Sequence, residues 1–97
     1  MIVVSGAVTA RPDTLDQLLD AALEHVRRSR TEPGCLQHGV AIDAENPLTL
    51  VFYEEWRDRA ALDAHFQIPE SLGFMKTVRA LAASQTKMKI LPIQSRD

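Results

Sequence analysis

The chain has 97 residues and a mass of 10.8 kDa, which leaves room for a single hydrophobic core. Hydrophobic residues make up 45% and charged residues 25% of the sequence, proportions that exclude a disordered or fibrous protein. The net charge of -2 disfavours binding to nucleic acid or to an anionic membrane. We therefore expect one domain over residues 1–97 with neither a nucleic-acid nor a membrane partner.

Cysteine usage and the amino terminus bear on location. The single cysteine, Cys35, cannot form an internal disulfide bond, and no Cys-x-x-Cys pair is present to bind zinc. Residues 1–6 have no basic region ahead of an apolar run, and no stretch approaches the roughly 18 apolar residues that span a bilayer. The sequence therefore predicts a cytoplasmic protein without a bound metal.

The first third of the chain combines a strand with a helix. Residues 2–10 are mostly small, β-branched or apolar, which predicts a strand. Leucine, alanine and valine then recur at steps of three and four, which predicts a helix between Thr14 and Pro33. Thr14 and Gln17 have the spacing of a capping box. Basic residues crowd the last turn, where they favour the carbonyl end of the helix dipole: Arg27, Arg28 and Arg30.

The remaining two thirds complete a recognisable order of elements. Residues 35–42 and 48–56 carry strand patterns, and the polar segment 43–47 joins them as an antiparallel hairpin. Asp58 is placed to cap a short helix, and Pro69 is placed to begin another. Alternation over residues 86–93 predicts a closing strand. The order β-α-β-β-α-β is that of the α+β, ferredoxin-like fold, with four antiparallel strands and the helices on one face.

The second face of this sheet also carries apolar residues. Val3 and Val4 are adjacent in the first strand, and Val51, Phe52 and Tyr53 are adjacent in the third. A sheet with one face in water alternates apolar and polar residues instead. A second copy packed sheet to sheet would cover that face, so we expect a homodimer with Tyr53 in its interface.

Two residues are the main candidates for function, and each has a structural alternative. His65 follows Ala61 and Leu62 at helical spacing, so it faces the sheet, either as a neutral core histidine or as a general base. Trp56, the only tryptophan, is either a core side chain or the wall of a cavity, where its indole would stack on an aromatic substrate. His38 is a weaker candidate, and His25 is interpreted as a boundary residue of the first helix.

Other residues receive simpler interpretations. Glu54 is interpreted as the exposed end of a strand, because unpaired carboxylates are rarely buried. Cys35 is interpreted as a small buried hydrophobe, because no basic residue adjacent in sequence would lower the pKa of its thiol. Three apolar residues at helical spacing are expected to line a core or a substrate pocket: Phe74, Met75 and Val78.

The segment VFYEEWRDRAALDAHFQIP, residues 51–69, places Trp56 ahead of a helix that contains His65. This segment and Glu32-Pro33-Gly34-Cys35 resemble the antibiotic biosynthesis monooxygenase (ABM) family. The resemblance implies a dimeric α+β barrel. It is a family of cofactor-free oxygenases of quinols and polyketide phenols, haem-degrading enzymes and proteins with no known reaction.

The sequence departs from that family at two places. Glu70 stands after the proline where quinol monooxygenases often carry a histidine. The haem-degrading branch pairs a strand-one asparagine with a late helical histidine, but the first strand here has no asparagine and the late helical positions carry no histidine. No axial ligand for haem iron is therefore evident.

The resemblance implies a reaction without a cofactor. A quinol or phenol is deprotonated by His65, passes an electron to dioxygen and recombines to give a quinone. The partners are then a small aromatic substrate and dioxygen. The sequence has no phosphate-binding glycine loop, metal-ligand spacing or nucleophile motif, so nicotinamide, flavin, metal and covalent-hydrolase chemistry are not indicated. Two alternatives stay open: a non-catalytic dimer that binds a small apolar metabolite as a stress or pathway accessory protein, and an isomerase or cyclase.

Overall fold

The computed structural model describes residues 1–94 as one antiparallel sheet with three helices. In chain order the elements are β1 (Ile2–Ala10), α1 (Leu15–Ser29), β2 (Cys35–Asp43), β3 (Asn46–Trp56), α2 (Arg59–Gln67), α3 (Pro69–Leu81), β4 (Ala82–Gln85) and β5 (Lys89–Pro92). The strand order is β2-β3-β1-β4, and β5 also pairs with β1. This arrangement confirms the predicted ferredoxin-like α+β fold.

The closing strand differs from its prediction. Two short strands pair with β1 in place of one continuous strand, so that Val8 lies opposite Gln85 and Ile2 lies opposite Pro92. Between them the Thr86 hydroxyl accepts a hydrogen bond of 2.9 Å from the Ala7 amide. A side chain thus takes the place of a backbone partner where the ladder is interrupted, which a pattern of alternating residues does not reveal.

The three helices begin where the sequence predicted, but one of the predicted caps is absent. Asp58 Oδ1 accepts a hydrogen bond of 2.8 Å from the Ala61 amide and caps α2, and Pro69 is the first residue of α3. The predicted capping box at Thr14 is wrong, because its side chain makes no cap bond. Its hydroxyl instead donates to the Leu81 carbonyl at 2.7 Å, which joins the start of α1 to the end of α3.

All three helices lie against the same face of the sheet, where the buried apolar residues form two clusters. The larger cluster contains Leu18, Val26, Leu50 and Val78, and the smaller one is built around Trp56. On the opposite face Val51 and Tyr53 are 39% and 38% exposed. Within residues 1–94 no helix combines the length and apolar character needed to cross a membrane.

Candidate active site

A cavity of about 900 Å³ lies between the inner face of the sheet and helices α2 and α3, which is a size suited to a small molecule. Gly6 helps to create it. This glycine occupies the inward-facing row of β1 between Val4 and Val8 and has no side chain to fill the space. His65 borders the cavity, as do the three predicted pocket residues: Phe74, Met75 and Val78.

Three histidines from three elements come together beside this cavity, which two of them, His25 and His65, border. His25 comes from α1, His38 from β2 and His65 from α2, and their ring centroids are 5.3 to 5.7 Å apart. All three are buried. The interpretation of His25 as a boundary residue is wrong, because its ring stacks on Phe74 with centroids 4.2 Å apart. The apolar stripe of α1 is wide enough to include it.

His65 is held by a carboxylate that is itself paired with an arginine. Its Nδ1 lies 2.8 Å from Glu32 Oε1 and 3.5 Å from the Ser71 hydroxyl. The other Glu32 oxygen accepts a hydrogen bond of 3.1 Å from Arg28. A carboxylate can only accept, so Nδ1 of His65 donates and Nε2 keeps a free lone pair. The i,i+4 spacing of Arg28 and Glu32 was the sequence signal for this pair.

Arg28 also fixes the tautomer of the neutral His25 ring. Its guanidinium donates to His25 Nδ1 at 2.9 Å, so the proton of the neutral ring lies on Nε2. Burial, followed by the positive charges that His38, His65 and Arg28 can carry, lowers the pKa of His25 from 6.5 to about 3. His25 is therefore neutral at pH 7. The dipole interpretation of Arg28 missed these contacts.

Glu54 is buried with only 7% of its surface exposed, so its predicted position at an exposed strand end is wrong. Its Oε1 accepts a hydrogen bond of 2.8 Å from the Trp56 indole and lies 3.2 Å from His38 Nε2. Burial acts to raise the pKa of Glu54, but the His38 and Trp56 contacts outweigh it and lower that pKa. The rule that unpaired carboxylates avoid the interior therefore does not apply to Glu54, because this carboxylate is paired.

His38 Nε2 lies close to Glu54 Oε1 without forming a hydrogen bond to it. Both ring nitrogens of His38 lack a hydrogen-bond partner among residues 1–94. Its backbone is better fixed, because the Arg30 side chain donates to the His38 carbonyl at 2.8 Å. His38 is buried behind the cavity and does not border it.

Trp56 also lies behind the cavity. Its side chain is fully buried, and its ring centroid is 4.6 Å from that of His65. Of the two interpretations of Trp56, the structure supports the core side chain and not the cavity wall, because Glu54 and His65 border the cavity and Trp56 does not. Cys35 is half-buried, and burial followed by the charges of nearby carboxylates raises the pKa of its thiol, which disfavours a thiolate nucleophile.

The same three histidines are the residues that could hold a metal ion, a grouping that their sequence spacing did not indicate. Their candidate ligand atoms lie within 4.8 Å of one another. Zinc bonds of about 2.0–2.1 Å in a tetrahedral site place ligand atoms roughly 3.3–3.4 Å apart. Arg28 also donates to one nitrogen of His25 and adds a positive charge there. Metal binding would therefore require the rings to approach one another and Arg28 to move.

The fold and the site together define an α+β protein with a histidine–carboxylate cluster at the inner end of a small-molecule cavity. The family model for antibiotic biosynthesis monooxygenase matches residues 1–77, and the chain belongs to that family.

The chain is also similar to one curated protein and to two solved structures. The chain is 35% identical over 92 residues to the Synechocystis protein called uncharacterized protein sll1783, covering 95% of this chain and 63% of that protein's length. A crystal structure of an antibiotic biosynthesis monooxygenase is 29% identical, with a TM-score of 0.87 over 98% of this chain and 100% of the other. PA3566 from Pseudomonas aeruginosa is 29% identical, with a TM-score of 0.85 over 97% and 94% of the two chains.

Proposed function

We propose that this protein is a cofactor-independent monooxygenase that oxidises a quinol or a polyketide-type phenol with dioxygen. The observation that carries the proposal is the His65–Glu32 pair, 2.8 Å between Nδ1 and Oε1, at the inner end of a cavity suited to a small molecule. A histidine oriented by a carboxylate is a common design for a general base.

Proton removal from the substrate hydroxyl falls to His65. Glu32 holds the ring through Nδ1, so the lone pair on Nε2 is the acceptor for that proton. When the histidines are neutral, the carboxylates of Glu32 and Glu54 outnumber the guanidinium of Arg28 by one negative charge. Transfer of one proton to His65 therefore neutralises the buried cluster, which favours formation of the substrate anion.

The oxygen chemistry then needs no external reductant. The phenolate gives an electron to dioxygen, and the two radicals combine to form a carbon–oxygen bond at a ring carbon that carries hydrogen. The proton held by His65 passes to the outer oxygen of this peroxide, and loss of the ring hydrogen with cleavage of the O–O bond then releases water and leaves a quinone. One oxygen atom stays in the product and the other leaves as water, while the substrate supplies one hydrogen from its hydroxyl, one from the ring carbon and all four electrons. A phenol becomes a quinone, and a quinol becomes a hydroxyquinone.

Trp56 has a positioning role in this proposal, since it does not border the cavity. Its indole N–H holds the Glu54 carboxylate at 2.8 Å. Glu54 in turn stands at the cavity beside His65. The Trp56 side chain thus fixes the geometry of a charged group near the reacting ring without touching the substrate.

The proposal also includes a homodimer, in which a second copy of this chain packs against the outer face of the sheet. On the outer face of the sheet Tyr53 lies between Ser5 and Gly39 in register, and Val51 lies between Ala7 and Ala41. Small residues on both sides leave Val51 and Tyr53 exposed on this face, which supports sheet-to-sheet packing. A single domain over residues 1–97 and a cytoplasmic location stay predictions from the sequence.

An aerobic screen of quinols and phenols under ¹⁸O₂ tests the activity. The proposal requires oxygen uptake, one labelled oxygen atom in the product and no accumulation of hydrogen peroxide. A product formed equally well under argon would indicate an isomerase or cyclase. Tight binding of the screened compounds without oxygen uptake or a product would leave a non-catalytic binding protein as the better description.

A further inference from the structure

Three positively charged side chains border the cavity that contains His65 at its inner end. Lys76 and Arg79 are one helical turn apart on α3, and Lys87 lies in the segment between β4 and β5. All three are exposed to solvent. They come from two separate elements on the same cavity, so one helix face does not account for the grouping.

The charge of this group is not balanced locally. None of the three lies within ion-pair distance of a carboxylate in the part of the chain that the structure describes. Glu54 is the one acidic residue that borders the cavity within residues 1–94, and its carboxylate is buried and bonded to Trp56. The chain as a whole has a net charge of -2. A positive cavity border is therefore a local feature that attracts anions.

The same border is also apolar. Leu72, Met75 and Met88 line the cavity and are 51%, 38% and 36% exposed. Large apolar side chains left exposed beside a cavity often mark a binding surface. Cations alone would suit a small inorganic anion, whereas cations interleaved with apolar side chains suit a ligand with both an apolar body and a charge.

We propose that the substrate is an aromatic compound that carries an anionic group such as a carboxylate. Its ring lies in the apolar cavity toward His65, and its anionic group remains at the border formed by Lys76, Arg79 and Lys87. This inference names the substrate class of the activity proposed above and rests on that proposal. The positive border would select among phenols and quinols that the apolar cavity alone accepts equally.

Binding under argon separates this inference from catalysis. Calorimetry compares 2-naphthol with 6-hydroxy-2-naphthoate, which shares the ring and hydroxyl and adds a carboxylate at the opposite end of the ring system. We expect the naphthoate to bind at least about tenfold more tightly at low salt, with most of that preference lost at high salt. The triple variant Lys76→Gln, Arg79→Gln, Lys87→Gln should bind both compounds with similar affinity and bind 2-naphthol as the parent does.

A matched control removes three positive charges that do not border the cavity: Arg27→Gln, Arg59→Gln and Lys89→Gln. The control should keep the preference for the naphthoate. Equal affinity of the parent for both compounds, survival of the preference in the triple variant, or failure of both compounds to bind would overturn the inference. Oxygen uptake with neutral phenols alone would overturn it while leaving the proposed activity intact. If the triple variant melts early, the three single variants should each lose part of the preference.

Discussion

Mild acid should destabilise this protein through His25, and replacing that residue should remove the effect. The folded state lowers the pKa of His25 to about 3, whereas the ordinary value is 6.5. Between these two pH values His25 is protonated in the unfolded chain but not in the folded chain. The free energy of unfolding therefore falls as the pH falls. The loss begins near pH 6.5 and ends near pH 3.

The size of the effect follows from the two pKa values. At pH 7 the ring is neutral in the folded state and mostly neutral in the unfolded state, and its titration changes the free energy of unfolding by only about 0.2 kcal/mol. At pH 5 the unfolded state carries the proton and the folded state does not, which lowers the free energy of unfolding by about 2 kcal/mol. This pH lies above the range in which the lowered pKa of Glu54 adds a similar acid dependence.

Urea denaturation at pH 7 and pH 5 measures this difference. The control is His25→Asn, because an asparagine carbonyl can replace Nδ1 as the acceptor for Arg28 but cannot take up a proton. The loss of stability on acidification should be about 2 kcal/mol smaller in the variant than in the parent. Equal losses in the two proteins would mean that His25 titrates normally in the folded state, and the buried cluster would have to be reconsidered.

Three further predictions concern the turn before β2, the three histidines and the outer sheet face. Gly34 has a φ of +84°, and an added Cβ would lie 2.5 Å from the Ala61 Cβ, so Gly34→Ala should destabilise the fold by about 1–3 kcal/mol. The control Gly73→Ala, in open space within α3, should stabilise it by about 0.5–1 kcal/mol; equal effects in urea denaturation would refute this. Stoichiometric Co²⁺ should give no tetrahedral visible spectrum, and a strong one would show that the histidines close readily around a metal. Sedimentation should show a dimer at micromolar concentration, and the Val51→Glu variant should dissociate more readily. A stable monomer of 10.8 kDa would contradict the predicted dimer.

The fold was predictable because its signals are local. Strand patterns, the Asp58 cap and the proline at the start of α3 each depend on a few neighbouring residues, and the structure confirms them. Thr14 shows the limit of such reasoning. The hydroxyl of a capping residue can form its hydrogen bond with another group if one lies close by. Here the Thr14 hydroxyl donates to the carbonyl of Leu81, which is far along the chain.

The site was only partly predictable because it depends on contacts between elements. Helical spacing correctly turned His65 toward the sheet, where it is buried. The same reasoning could not place Glu32, which follows α1, next to a histidine in α2. The strand pattern also led to the wrong prediction that Glu54 is exposed. The pattern of one strand does not reveal that the Trp56 indole and the His38 imidazole lie next to this carboxylate and stabilise it in the interior.

The most direct test of the central claim is the oxygen uptake of His65→Asn with a phenol or quinol that the parent oxidises. An asparagine amide can replace Nδ1 as the donor to Glu32 but offers no basic nitrogen at the cavity. We expect the dimer and its melting temperature to be nearly unchanged and the rate of oxygen uptake to fall by about 100-fold or more, the scale of losing a general base. A variant that loses about 1–3 kcal/mol of stability, as when a buried hydrogen bond is broken, yet consumes oxygen as fast as the parent would contradict the assignment of His65 as the base.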